Sequence, residues 1–120
     1  MVAAMITHVV LMKPRPDLSD ADRHAFAASF ERAAKEIPSV RAVRLGRRVL
    51  HGAGYESGAA GPTDYLVAID FDDLDGLRAY LEHPAHAELG TRFATSLAGA
   101  MVFDYECGGL EKIQEWLALG

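Results

Sequence analysis

A chain of 120 residues is long enough for one hydrophobic core and too short for two ordinary domains. Half of it is hydrophobic and 24% is charged, which excludes a disordered tail or a fibre. The net charge of −5 disfavours broad binding to nucleic acid or to an anionic membrane, because an acidic chain repels phosphate.

The first predicted element is a strand, Met5 to Lys13. Ile6, His8, Val10 and Met12 fall on one side of it and Thr7, Val9 and Leu11 on the other. Pro14 and Pro16 stop it, since proline has no N–H to give a ladder. Ser19 opens a helix, and Asp22 three residues later makes an acidic capping-box variant. Phe26, Phe30, Ala33, Ala34 and Ile37 recur at helical spacing as its buried stripe, and Pro38 ends it. Val40 to Leu50 reads as a second strand, with Val43, Leu45 and Val49 on one side and Gly46 marking a bulge or bend. Arg41, Arg44, Arg47 and Arg48 on this strand read as a solvated face. The Gly- and Ala-rich run HGAGYESGAAGPTD is a long connection.

Tyr65 to Phe71 is the third strand. Tyr65, Val67, Ile69 and Phe71 take one face, and Leu66 and Ala68 the other. A helix from about Leu74 carries Leu77, Tyr80 and Leu81, and Pro84 interrupts it. A second helical piece continues with Ala85, Leu89, Phe93 and Leu97, and Ala100 to Cys107 is the fourth strand. Leu110, Ile113, Trp116 and Leu117 give Leu110 to Leu119 the pattern of a short amphipathic helix. A helix that short does not hold alone, so it is expected to dock on the domain or on a partner subunit.

The order β-α-β-β-α-β is the ferredoxin-like split βαβ pattern: an α+β fold with a four-stranded antiparallel sheet and its helices on one face. The domain spans residues 5–106, and 107–120 form a C-terminal extension. Two helices cover only one face of such a sheet, yet the first, third and fourth strands are apolar on both. Large bare apolar faces are rare on monomers. A second copy of the same sheet is the natural cover, which predicts a homodimer through the sheet face. The lone Cys107 excludes an internal disulfide and fits a reducing compartment. The MVAAMITH start carries no basic region or long apolar stretch, and no run reaches membrane-spanning length, so a cytoplasmic location is expected.

The residues that carry chemistry are His8 on the first strand and Tyr80, His83 and His86 around the helix break. Histidine suits acid/base work because its reference pKa of about 6.5 makes both forms accessible near neutrality. His86 follows Pro84 at the positive start of a helix, which favours a neutral ring that can act as a base. Structural roles compete: His8 as a core histidine bonded to backbone, His83 as a helix cap, His86 bonded to a loop carbonyl, Tyr80 as packing. His83 and His86, at i and i+3, are two ligands where a zinc site needs a third, and no metal is expected. Phosphate loops and Cys-x-x-Cys pairs are absent, and no cofactor is expected.

Three stretches together, ITHVVLMKP, YLEHPAH from Tyr80 to His86 and MVFDYE from Met101 to Glu106, resemble the stress-responsive A/B barrel (Dabb) family of dimeric α/β barrels. The His-Pro-x-His element after an aromatic helix is the most specific of them, and the tail lies outside the resemblance. Most members of that family have no established chemistry. A plant branch, the olivetolic acid cyclases, closes a linear polyketide by a C2–C7 aldol condensation without metal or organic cofactor. The resemblance implies catalytic roles for His8, His86 and Tyr80. Phe26, Phe30 and His83 join them as substrate-binding candidates. Where the cyclases carry a tyrosine in the first helix this chain has Phe30, which removes a hydroxyl and puts the polyketide substrate in question.

Two functions of different class follow. One is a cofactor-free acid/base enzyme on a small carbonyl or polyketide-like substrate, an aldol-type cyclase or a related lyase or isomerase. The other is a non-catalytic stress-responsive dimer that binds a small apolar ligand or a protein partner. A cofactor-free oxygenase is a third reading, resting on fold analogy alone.

Overall fold

The computed structural model describes residues 5–119. Its elements are β1 (Met5–Pro14), α1 (Asp20–Glu36), β2 (Ala42–Arg47), β3 (Tyr65–Phe71), α2 (Leu74–Glu82), α3 (Pro84–Ser96), β4 (Leu97–Cys107) and α4 (Ile113–Leu119). Short 3-10 turns lie at Gly54–Gly58 and Leu110–Lys112. The four strands form one antiparallel sheet in the order β2-β3-β1-β4, the ferredoxin-like arrangement.

Local chemistry sets the helix starts. The Ser19 hydroxyl accepts the Asp22 N–H at 3.1 Å, and the Asp73 carboxylate accepts the Gly76 N–H at 2.8 Å. At the expected break, His83 closes α2 and opens α3, its Nδ1 accepting the Ala85 N–H at 3.0 Å with Pro84 at the first helical position. Two boundaries differ most from the sequence reading. β2 stops at Arg47 because β3 begins only at its partner Tyr65, so Val49 and Leu50 have no strand opposite them. β4 begins at Leu97, where that residue pairs with Pro14 across a bulge; its spacing from Phe93 also fits a helix, which hides the strand start.

Alternation along β1 turns Ile6, His8, Val10 and Met12 toward the helices, opposite Phe71, Ile69, Val67 and Tyr65 of β3. The core sits between this face and α1, α2 and α3, and Phe71, Ile69, Val67 and Tyr80 are its largest fully buried side chains. Arg32 of α1 reaches Glu88 of α3 and ties the two helices together on the outside. The other face carries Val9, Leu11, Leu66, Met101, Phe103 and Tyr105 and has no helix over it; Phe103 is 40% exposed and Tyr105 52%. No helix of the described residues is long and apolar enough to cross a membrane.

Candidate active site

β1 and β4 are neighbours, and their register sets His8 directly opposite Asp104. Directly opposed residues share a face. The Asp104 carboxylate therefore reaches the His8 ring, with Nδ1 and Oδ1 2.6 Å apart. A carboxylate only accepts, so Nδ1 carries a proton and donates it to Asp104. His8 itself is 4% exposed, while the Asp104 side chain keeps contact with solvent.

Tyr80 stands between the two histidines. Its ring meets His8 edge-on at 5.7 Å between centroids and His86 at 4.8 Å, and it leans on Phe71 at 5.2 Å. Burial pushes the phenol up to about 12, so it stays a neutral hydrogen-bond donor through the ordinary pH range. His86, in the first turn of α3, is held below the usual histidine range. Burial is the main cause and the positive charge His8 can carry is the second, while the Leu81 carbonyl pulls the other way. The direction is the one expected for a helix start, but the causes are desolvation and a second histidine.

His8, Tyr80 and His86 line one cavity of about 220 Å³, walled by Val10, Phe30, Leu89, Phe93 and Val102. That exceeds the about 150 Å³ that suffices to hold benzene in an apolar protein cavity. Apolar walls with a few convergent polar groups are the usual make-up of a small-molecule site.

The other candidates fall elsewhere. Phe30 lines this cavity, but Phe26 does not: it packs on Phe30 and Phe93, at 5.3 and 5.6 Å, and lines a neighbouring groove between α1 and β2. His83 is taken up as the α3 cap and is outside the cavity lining. Among the described residues no three His, Cys, Asp or Glu side chains gather in a way that could hold a metal ion.

The family-level comparison agrees with this architecture. The family model of the stress responsive A/B barrel domain matches residues 6–107. The chain belongs to this family. The Dabb chain is similar to olivetolic acid cyclase from Cannabis sativa, at 23% identity over 100 residues that cover 83% of this chain and 94% of the cyclase. Of solved structures, a dimeric protein of unknown function and ferredoxin-like fold from Bacteroides fragilis matches at a TM-score of 0.59 and 25% identity, covering 86% of this chain and 96% of that one. The hydroxynitrile lyase of Passiflora edulis matches in fold, with a TM-score of 0.73 at 13% identity, over 88% of this chain and 95% of the lyase.

Asp104 was not among the residues singled out from sequence. Its signal is faint: one carboxylate in the alternation Val102, Asp104, Glu106 of the final strand. It becomes visible only when β4 is set beside β1 in register, a pairing between residues 96 positions apart.

Proposed function

We propose that this Dabb chain is a cofactor-free acid/base enzyme that removes a proton beside the carbonyl of a small, largely apolar substrate and joins or breaks a carbon–carbon bond there. The observation that carries this reading is the gathering of His8, Tyr80 and His86 in one cavity, with Asp104 orienting His8. In the forward sense, neutral His86 takes the proton from the α-carbon, and the electron pair moves into an enolate. The Tyr80 O–H donates a hydrogen bond to the enolate oxygen. The enolate carbon attacks a second carbonyl carbon, and the resulting alkoxide takes the proton back from an imidazolium. That imidazolium is His86, so the proton count closes; His8, its Nδ1–H held by Asp104, keeps one fixed ring orientation beside the alkoxide. Tyr80 then supplies the one hydroxyl, and Phe30 leaves the opposite wall apolar. Two similar proteins, a cyclase of olivetolic acid and a hydroxynitrile lyase, lend support by their names.

The test is deuterium exchange at the α-carbon of aromatic β-diketones and β-keto acids in D₂O, followed by proton NMR. The protein is expected to exchange that position faster than buffer at equal pH. Folded protein that matches buffer across the panel refutes the reading. The competing non-catalytic reading, supported by Phe30 in place of a hydroxyl, expects His8→Ala to lower stability and to change no turnover.

The working unit in this proposal is a homodimer through the open sheet face. Phe103 and Tyr105 are half exposed on it, and the Bacteroides fragilis relative is dimeric. Placing a charge there buries an unpaired ion in any such interface. Phe103→Asp is therefore expected to sediment as a monomer where the parent sediments as a dimer. A dimer unchanged by that substitution would move the interface elsewhere.

A further inference from the structure

Among the described residues, the apolar side chains of the C-terminal helix are left largely uncovered. α4 presents Ile113 at 50% exposure and Leu117 at 74%, and Leu110 before it is 81% exposed. Trp116, 38% exposed, folds back beside Gly108. A seven-residue helix does not persist in water without a surface under its apolar side. The radius of gyration, 16.2 Å, also exceeds the about 14 Å of a compact chain of this length, as expected where an arm stands clear of the body.

At the opposite edge of the sheet lies an apolar groove that no described residue fills. It runs between α1 and β2, has a volume of about 310 Å³, and is lined by Phe26, Ala27, Ala34, Val43 and Leu45. Leu45 is 74% exposed there. The groove lies at the β2 edge and the arm leaves the β4 edge, three strand spacings or about 14 Å across the sheet. The arm of one chain is thus poorly placed for its own groove.

Charge favours the match in trans. Arg41 at the start of β2 is paired with Asp72, but Arg47 and Arg48 at its other end meet no carboxylate within ion-pair distance among the described residues. The arm carries Glu111 and Glu115, and Glu106 lies just before it on β4. Glu31 is the one charged side chain of the groove lining, and the arm offers Lys112. In a two-fold dimer whose axis runs parallel to the strands, the β4 edge of one copy lies beside the β2 edge of the other.

We propose that α4 of each subunit docks in the α1–β2 groove of its partner, with Trp116 and Leu117 against Leu45 and Phe26. This rests on the homodimer of the preceding section. The arm then acts as a clasp across the barrel seam.

Trp116 is the only tryptophan, which makes the clasp directly readable. One population carries Cys107→Ser, Trp116→Phe and Leu45→Cys, the new thiol bearing a fluorescence quencher. It is mixed in equal amount with unlabelled protein, and subunits are allowed to exchange. Sedimentation of the same mixture reports the dimer. The clasp predicts dimers in which Trp116 emission falls by about half, the fraction of unlabelled chains with a labelled partner in a two-fold dimer. Dimers with unquenched Trp116 overturn the clasp and leave the dimer standing; monomers overturn both. As a label-free check, Leu117→Asp is expected to raise the dimer dissociation constant about tenfold or more, the loss of one buried leucine. An unchanged constant refutes the docking.

Discussion

His86→Gln is expected to slow α-proton exchange roughly 10²–10⁴-fold, the usual contribution of a positioned general base. Glutamine keeps a polar head of similar reach but cannot accept the proton. The His86 ring is partly exposed, so fold and dimer should survive the change. The pH profile identifies the group. Burial and the His8 charge hold His86 below its ordinary range, so its base form persists below pH 6.5 and activity falls only as pH drops through the lowered value. Stability follows the same sign. In the window from about 6.5 down to the folded value, the unfolded chain binds the extra proton, so stability is present above that window and is lost as pH falls through it. The variant should lose both the acid limb of the exchange profile and this slope in urea midpoints. An acid limb that survives His86→Gln would remove His86 from the role of base.

Tyr80→Ala is expected to cost about 3–5 kcal/mol, the range for truncating a buried aromatic ring. Tyr80 is 1% exposed and supports Phe71, His8 and His86 at once, so its removal opens the core and the site together. Tyr80→Phe separates the two effects, keeping the ring and deleting the donor. It should retain most of the stability and lose exchange activity. It should also abolish a share of the alkaline destabilisation. With the buried phenol pushed up to about 12, the unfolded tyrosine ionises first as pH rises through its ordinary value near 10, and stability falls between the two. Urea titrations at pH 8 and 11 measure both. A Tyr80→Ala protein within 1 kcal/mol of the parent would show that the ring does not bear on the core.

The parts of this fold that were legible in sequence are those with local causes. The two-residue period of Ile6, His8, Val10 and Met12 announced β1 and the face it buries. Ser19 and Pro84 announced helix starts, because capping acts within one turn. The family resemblance implies His8, Tyr80 and His86 together, and all three line one cavity. Asp104 and the separation of Phe26 from Phe30 were not legible, because both depend on which elements lie side by side. His83 is the instructive case: an imidazole one residue before a proline is as well suited to cap a helix as to bind a ligand, and here the backbone N–H of Ala85 takes it.

β1 is paired along its length on both sides, by β3 and by β4. Amides in such a strand exchange with solvent only when the whole domain opens, whereas helices at the surface open by smaller fluctuations. The two walls of the cavity therefore differ in tempo. His8 is expected in the slowest-exchanging part of the molecule, whereas Tyr80 and His86 sit on two short helices that meet at His83. For the proposed enzyme this predicts that a substrate enters by opening of the helical side, while the strand that carries His8 stays fixed.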